Sequence, residues 1–99
     1  MDELALESLF KAYFHQDFYE VYGGVWETVD AFVRDDPIDA RRILDEVPHV
    51  LDRHPSDEDV RRYLTSVGCS YRSELHDGGS REWLREISRH VQARLTEQN

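Results

Sequence analysis

The sequence predicts an all-α protein, a compact single-domain helical bundle of about five helices spanning residues 1–99. Apolar residues recur at steps of three and four along most of the chain, which is the spacing of amphipathic helices with one buried stripe. Residues that favour helix starts precede two of these stretches, and no two stretches alternate as the strands of a hairpin would. The length of 99 residues is that of one domain.

The first helix is predicted from Asp2 to Phe14. Acidic residues at its start complement the positive end of the helix dipole. An aromatic cluster continues to Tyr22, and Gly23-Gly24 then predicts a hinge or turn. The apolar residues that define this helix are Leu6, Leu9, Phe10, Tyr13 and Phe14.

Residues 25–35 predict a second helix by the same apolar spacing. Asp36 is well placed to cap the helix that follows, and Pro37 suits its first position, where a missing N–H costs little. That third helix is predicted to reach about Arg53, either continuous or with a kink or restart at Pro48.

A fourth helix is predicted over residues 57–67, because the Ser56 hydroxyl can accept hydrogen bonds from N–H groups of the first turn. Gly68 ends it. Residues 69–79 show no sustained period and finish with a turn signal, so we expect an ordered loop. The last helix is predicted to open at Ser80, with an apolar stripe on one face and arginines mostly on the others.

The net charge of −9 predicts a basic protein as partner, because a negative field repels nucleic acid and anionic membranes. Residues 1–59 hold 16 acidic and 5 basic side chains, whereas residues 60–99 hold 5 acidic and 7 basic ones. The arginines of the last helix form one local basic stripe, which pairs such as Glu82 with Arg85 can satisfy as a solvated face. We therefore expect no direct nucleic-acid contact.

No motif in the sequence indicates catalysis, a metal site or another cofactor. The five histidines are scattered without the spacing of metal ligands, and the paired glycines match no phosphate-binding loop. Cys69 has no neighbour that would clearly lower the pKa of its thiol, so we expect a buried structural thiol. These observations predict that the protein is not an enzyme.

A cytoplasmic location is predicted from three observations. No apolar run approaches the roughly 20 residues of a membrane helix, and the start of the chain lacks the basic segment of a secretory signal. The single cysteine also agrees with a reducing compartment. The oligomeric state is left open by the sequence.

The opening LESLFKAYFHQDF, a Tyr-rich turn, an acidic amphipathic helix and the closing GGSREWLREI resemble the CdiI family of immunity proteins of contact-dependent growth inhibition systems. The resemblance spans nearly the whole chain. It implies a helical protein that binds the toxic C-terminal domain of a neighbour-delivered effector and blocks its active site or substrate surface. Some such immunity proteins answer ribonuclease toxins, so a ribonuclease is one candidate partner.

The large aromatic residues of these motifs are predicted to shape the fold. His15 and Asp17 are predicted to form a polar tie between the first helix and the following turn, with a structural or an interfacial role left open. For the cognate toxin domain, expected to be basic, we predict contact through acidic residues outside the apolar stripes. These are Asp17, Glu20, Glu27, Asp30, Asp35, Asp36 and Asp39.

Three other functions remain as alternatives. An acidic adaptor or regulatory subunit of another basic protein would have the same charge and fold class. An enzyme would lose its activity on replacement of one titratable residue without unfolding. A nucleic-acid mimic would use its carboxylates to imitate phosphate spacing.

Overall fold

The computed structural model describes residues 4–97 and contains six α-helices. No strand occurs among these residues, so the predicted all-α class is confirmed. The five predicted helices are all present, and one short helix, α2, is additional. The elements are α1 (Leu4–Ser8), continued by a π-helical turn (Leu9–Tyr13), α2 (Phe18–Tyr22), α3 (Val25–Asp35), α4 (Pro37–Arg53), α5 (Asp57–Ser66), a 3-10 turn (Ser73–Leu75) and α6 (Gly79–Glu97).

The first helix widens from α to π geometry at Leu9. The Phe14 N–H donates to the Leu9 carbonyl at 3.1 Å, a spacing of five residues. Helical structure therefore extends to Tyr13, close to the predicted end. Asp2 and Glu3, predicted to lie at the start of this helix, are outside the described residues.

The predicted turn at Gly23-Gly24 is confirmed and separates α2 from α3. Gly23 adopts φ 99°, a left-handed conformation that favours glycine, and its N–H donates to the Tyr19 carbonyl at 2.9 Å. Sequence periodicity did not predict α2, because five residues form little more than one helical turn.

Both predicted helix caps are confirmed. The Asp36 carboxylate accepts from the Asp39 N–H at 3.0 Å, and Pro37 opens α4. The Ser56 hydroxyl accepts from the Asp59 N–H at 3.1 Å at the start of α5. α4 continues through Pro48 as one helix, so no restart occurs there.

The core centres on Trp83 of α6, a helix that packs against α3, α4 and α5. The ring centroid of Trp83 lies 5.8 Å from Phe10, 5.5 Å from Phe14 and 4.7 Å from Tyr71. The loop before α6 is ordered, as predicted, and the hydroxyls of Ser73 and Ser80 in its vicinity lie 2.8 Å apart. Of the aromatic residues predicted to shape the fold, three are buried and two are partly buried against the core: Phe14, Phe18 and Trp83, then Tyr13 and Trp26.

The start of α6 is fixed to the preceding helices. It begins at Gly79, one residue before the predicted start. The Arg81 N–H donates to the Asp57 carboxylate at 3.0 Å. The Arg81 guanidinium donates to the carbonyls of Leu51, at 2.8 Å, and His54 at the end of α4. The prediction of a solvated arginine face is therefore wrong for Arg81, because this side chain satisfies orphan carbonyls at a helix end.

Candidate protein-binding surface

The seven acidic residues predicted to contact a partner fall into two groups. Four carboxylates make hydrogen bonds or ion pairs within the protein, and three make neither with the residues that the structure describes. The first group is Asp30, Asp35, Asp36 and Asp39, and the second is Asp17, Glu20 and Glu27.

Asp30 joins α3 to α6. Its carboxylate lies 2.8 Å from Arg94 Nε and 2.6 Å from His90 Nε2, and the Asp30 side chain is 35% exposed. The ring of Trp26 covers His90 at a centroid distance of 5.1 Å. These contacts give Asp30 a structural role, because its charge is already neutralised by Arg94.

The junction of α3 and α4 holds three of these carboxylates, which make hydrogen bonds or ion pairs. They are Asp35, Asp36 and Asp39. Asp35 accepts the Tyr13 hydroxyl hydrogen bond at 2.9 Å. Burial, followed by this hydrogen bond, raises the pKa of Tyr13 to about 12, so the phenol stays protonated and keeps donating at neutral pH. Asp36 is the cap described above, and Asp39 pairs with Arg42 at 3.3 Å.

Asp17 is exposed just before α2, Glu20 is exposed on α2, and Glu27 is exposed in the first turn of α3. The predicted tie at His15 is present, but it uses the Asp17 backbone N–H, which donates to His15 Nδ1 at 3.1 Å. The Asp17 carboxylate is therefore left facing solvent. Residues 12–33 contain no lysine or arginine, so nothing in this segment neutralises these three charges.

Glu27 lies next to the end of α2 because its side chain folds over the turn between α2 and α3. A Cβ atom placed on Gly24 would lie 2.5 Å from Glu27 Oε1. The carboxylate thus approaches the positive end of the α3 dipole, where a negative charge is favourable. This position groups Glu27 with the acidic residues of α2.

Two exposed apolar side chains complete this region. Tyr19 is 67% exposed and Val21 is 59% exposed, whereas Phe18 is buried and Tyr22 is partly buried. Positions 18 and 22 are one helical turn apart and face the core, so Glu20 points directly away from it and Tyr19 and Val21 point to opposite sides of α2. We call the group of Asp17, Tyr19, Glu20, Val21 and Glu27 the α2 surface.

The inner side of α2 is held by aromatic contacts. Phe18 packs on Phe14 at a ring centroid distance of 5.2 Å and on Tyr71 at 6.4 Å. Tyr22 stacks on Tyr13 at 5.6 Å with an interplanar angle of 20°. These contacts fix the short helix from behind, so its outer side chains start from an ordered backbone.

Tyr19 and Val21 were not among the residues predicted from sequence to contact a partner. Tyr19 belongs to the predicted aromatic cluster and Val21 to no predicted group, because periodicity does not resolve α2 as a separate helix. A signal was present, since Phe18 and Tyr22 are spaced as i and i+4, which leaves the residues between them on the outer side.

Glu46 is a second residue that sequence reasoning missed. It is buried, with 4% of its surface exposed, and accepts hydrogen bonds from the N–H groups of Ala5 at 3.2 Å and Leu6 at 2.9 Å. A carboxylate from α4 therefore caps the described start of α1. The available signal was its position between Ile43 and Val50, within the apolar stripe of α4.

The residues considered for chemistry do not form a reactive cluster in the described chain. Burial raises the pKa of the Cys69 thiol to about 12, so this partly buried thiol stays protonated at neutral pH. Among residues 4–97, no group of three or more His, Cys, Asp or Glu side chains is arranged to hold a metal ion. The Glu82–Arg85 pair predicted on the last helix is present at 3.5 Å, and Glu82 lies closer to Arg89, at 2.6 Å.

No helix within residues 4–97 has the length and apolar character needed to cross a membrane.

Comparison with protein families gives a match to the CdiI immunity proteins over residues 4–91. Comparison with curated proteins and with solved structures gives no significant match. The matched region includes the α2 surface and the first five helices in full. The chain therefore belongs to the family of CdiI immunity proteins, which implies toxin-neutralising immunity in contact-dependent growth inhibition.

Proposed function

We propose that this protein binds the C-terminal toxin domain of a contact-dependent growth inhibition effector and covers its active or substrate-binding surface. It does so as a single helical domain that acts by binding and not by catalysis. Family membership over residues 4–91 supports toxin neutralisation. The observation that supports a basic toxin surface is the absence of lysine and arginine from residues 12–33, which hold the unpaired carboxylates of the α2 surface.

A ribonuclease is the toxin class that best fits this charge. An enzyme that cleaves RNA holds phosphates with basic side chains, and an acidic protein can occupy the same surface. The proposal places the complex in the bacterial cytoplasm, where an RNA-cleaving toxin meets its substrate. Occlusion requires no chemical step from the immunity protein.

Electrostatic attraction has two separable effects in this proposal. The overall charge of −9 accelerates encounter with a basic domain. Screening beyond about 8 Å at physiological ionic strength means that only carboxylates close to the contact stabilise the bound state. The best candidates for such contacts are the three carboxylates without a partner among the described residues, Asp17, Glu20 and Glu27. The other four are already hydrogen-bonded or ion-paired within the protein, and they are Asp30, Asp35, Asp36 and Asp39.

The test begins with co-expression of this chain and the C-terminal domain encoded immediately upstream of it. We expect that domain to stop growth when expressed alone, and co-expression to restore growth and give a complex that co-purifies. A harmless upstream domain, or toxicity without binding or rescue, would contradict the immunity function. Binding to a different basic protein with no effect on toxicity would favour the adaptor or regulatory subunit.

A charge-matched pair of variants tests the role of the carboxylates. Neutralising Asp17, Glu20 and Glu27 together as Asn or Gln should slow association with the toxin domain about tenfold at low salt, and the difference should shrink at high salt. Neutralising three exposed aspartates elsewhere changes the net charge equally and should have a smaller effect. The control residues are Asp45, Asp52 and Asp77.

A further inference from the structure

We propose that Tyr19 and Val21, which lie on either side of Glu20 on α2, are the apolar contacts of the toxin-binding interface, and that the toxin surface facing them is apolar and bordered by basic side chains. This inference rests on the proposed function and adds the residues that would hold the complex together. It starts from the two exposed apolar side chains of α2. Val21 is 59% exposed, and Tyr19 is 67% exposed although its ring contacts that of Phe18 edge to face at a centroid distance of 6.0 Å.

The chemistry of the partner follows from what surrounds these two side chains. Asp17 and Glu20 are close to them along the chain, and the Glu27 carboxylate lies over Gly24 in the turn that follows α2. The nearest arginine or lysine along the chain is outside residues 12–33. Stable protein interfaces place apolar and aromatic side chains at the centre and charges at the rim. Apolar side chains interleaved with carboxylates are complementary to an apolar surface bordered by basic side chains.

Two other exposed apolar residues, Ile38 and Leu75, have different surroundings. Ile38 is 72% exposed, but it lines a shallow groove together with Arg41, Arg42 and Asp45, so both signs of charge are present there. Leu75 is 70% exposed and follows Glu74, which pairs with Arg72. Neither site presents the uncompensated negative rim that a basic partner would select.

The expected energetic role of Tyr19 is that of a binding hot spot. Tyrosine is enriched among the few interface residues whose truncation weakens binding most. The ring is large and has few rotatable bonds, and its helix is held from behind by the contacts of Phe18 and Tyr22, so little order has to be gained on binding. Loss of such a residue raises the dissociation rate more than it lowers the association rate.

The experiment measures binding kinetics of Tyr19→Ala and Val21→Ala to the toxin domain that wild-type protein neutralises. We expect Tyr19→Ala to raise the dissociation rate at least about tenfold, with a smaller increase for Val21→Ala and little change in association rate or salt dependence. The controls Ile38→Ala and Leu75→Ala remove similarly exposed apolar side chains and should change the dissociation rate less than about twofold. Urea unfolding of each variant should match wild type, because the removed side chains are exposed.

Two substitutions of opposite charge at Val21 test the charge of the partner without removing a side chain. Val21→Arg should weaken binding and growth protection more than Val21→Asp, because the arginine would face the basic rim of the toxin. Equal effects of the two substitutions would refute the basic rim.

Wild-type kinetics for Tyr19→Ala, or a greater loss for Ile38→Ala, would refute the placement while leaving immunity intact. Absence of binding and protection by the wild-type protein would instead overturn the proposed function itself.

Discussion

Replacement of Glu46 by alanine should destabilise this protein more than any surface substitution. The Glu46 carboxylate is 4% exposed and accepts the N–H groups of Ala5 and Leu6, both of which are fully buried residues. Each buried N–H group left without an acceptor costs about 1–3 kcal/mol, so the two together predict a loss of about 2–6 kcal/mol in the free energy of unfolding. Glu46→Gln keeps one acceptor oxygen and should lose about 1–2 kcal/mol.

Urea unfolding followed by circular dichroism measures these differences. The matched control is Asp45→Ala, an adjacent exposed carboxylate of α4, which should change the free energy of unfolding by no more than about 0.5 kcal/mol. A loss below about 1 kcal/mol for Glu46→Ala, or a loss equal to that of Asp45→Ala, would refute the capping role. The helix that begins with α1 continues to Tyr13, which stacks on Tyr22 of α2, so weaker toxin binding should accompany any partial unfolding of this helix.

Two further predictions concern residues outside the proposed interface. Asp30→Ala should lower the free energy of unfolding by about 1 kcal/mol. The loss is small because the contacts of Asp30 with Arg94 and His90 are partly exposed. The rate of association with the toxin should be nearly unchanged. A tenfold slower association in Asp30→Ala would instead place Asp30 in the interface. Cys69 should react much more slowly with a disulfide reagent at pH 8 in the folded than in the urea-unfolded protein, because its folded pKa is raised to about 12 from roughly 8.5. This pKa shift contributes to the free energy of unfolding below about pH 8.5, and the contribution is lost as the pH rises towards about 12. Equal reaction rates of the folded and the unfolded protein would contradict the burial of the thiol.

The fold was largely predictable because its long helices carry local signals. Apolar spacing indicated the extents of α3, α4 and α5 and the start of α6 to within one or two residues. The caps at Asp36 and Ser56 depend on side chains within three residues of the groups they satisfy. The π-helical turn at Leu9–Tyr13 and the five-residue α2 were missed, because each is little longer than one helical turn and shows no period of its own.

The site was predictable only in part because charge pairing joins residues distant in sequence. Sequence placed Asp17 and Asp30 in one acidic group, yet Arg94, 64 residues after Asp30, neutralises the latter. No local pattern reports such a pair. The capping role of Glu46 could not be predicted for the same reason, because its hydrogen-bond partners lie 40 and 41 residues earlier in the chain.

The two sides of α2 also bear on how a family with one fold can diversify. Phe18 and Tyr22 face the aromatic core, so substitutions there disturb packing, whereas Tyr19, Glu20 and Val21 face solvent and can change at little cost to folding. One turn of helix thus separates positions constrained by folding from positions free to drift. In the proposed interface, new toxin specificities would arise at the outer positions by single substitutions, without a compensating change in the core.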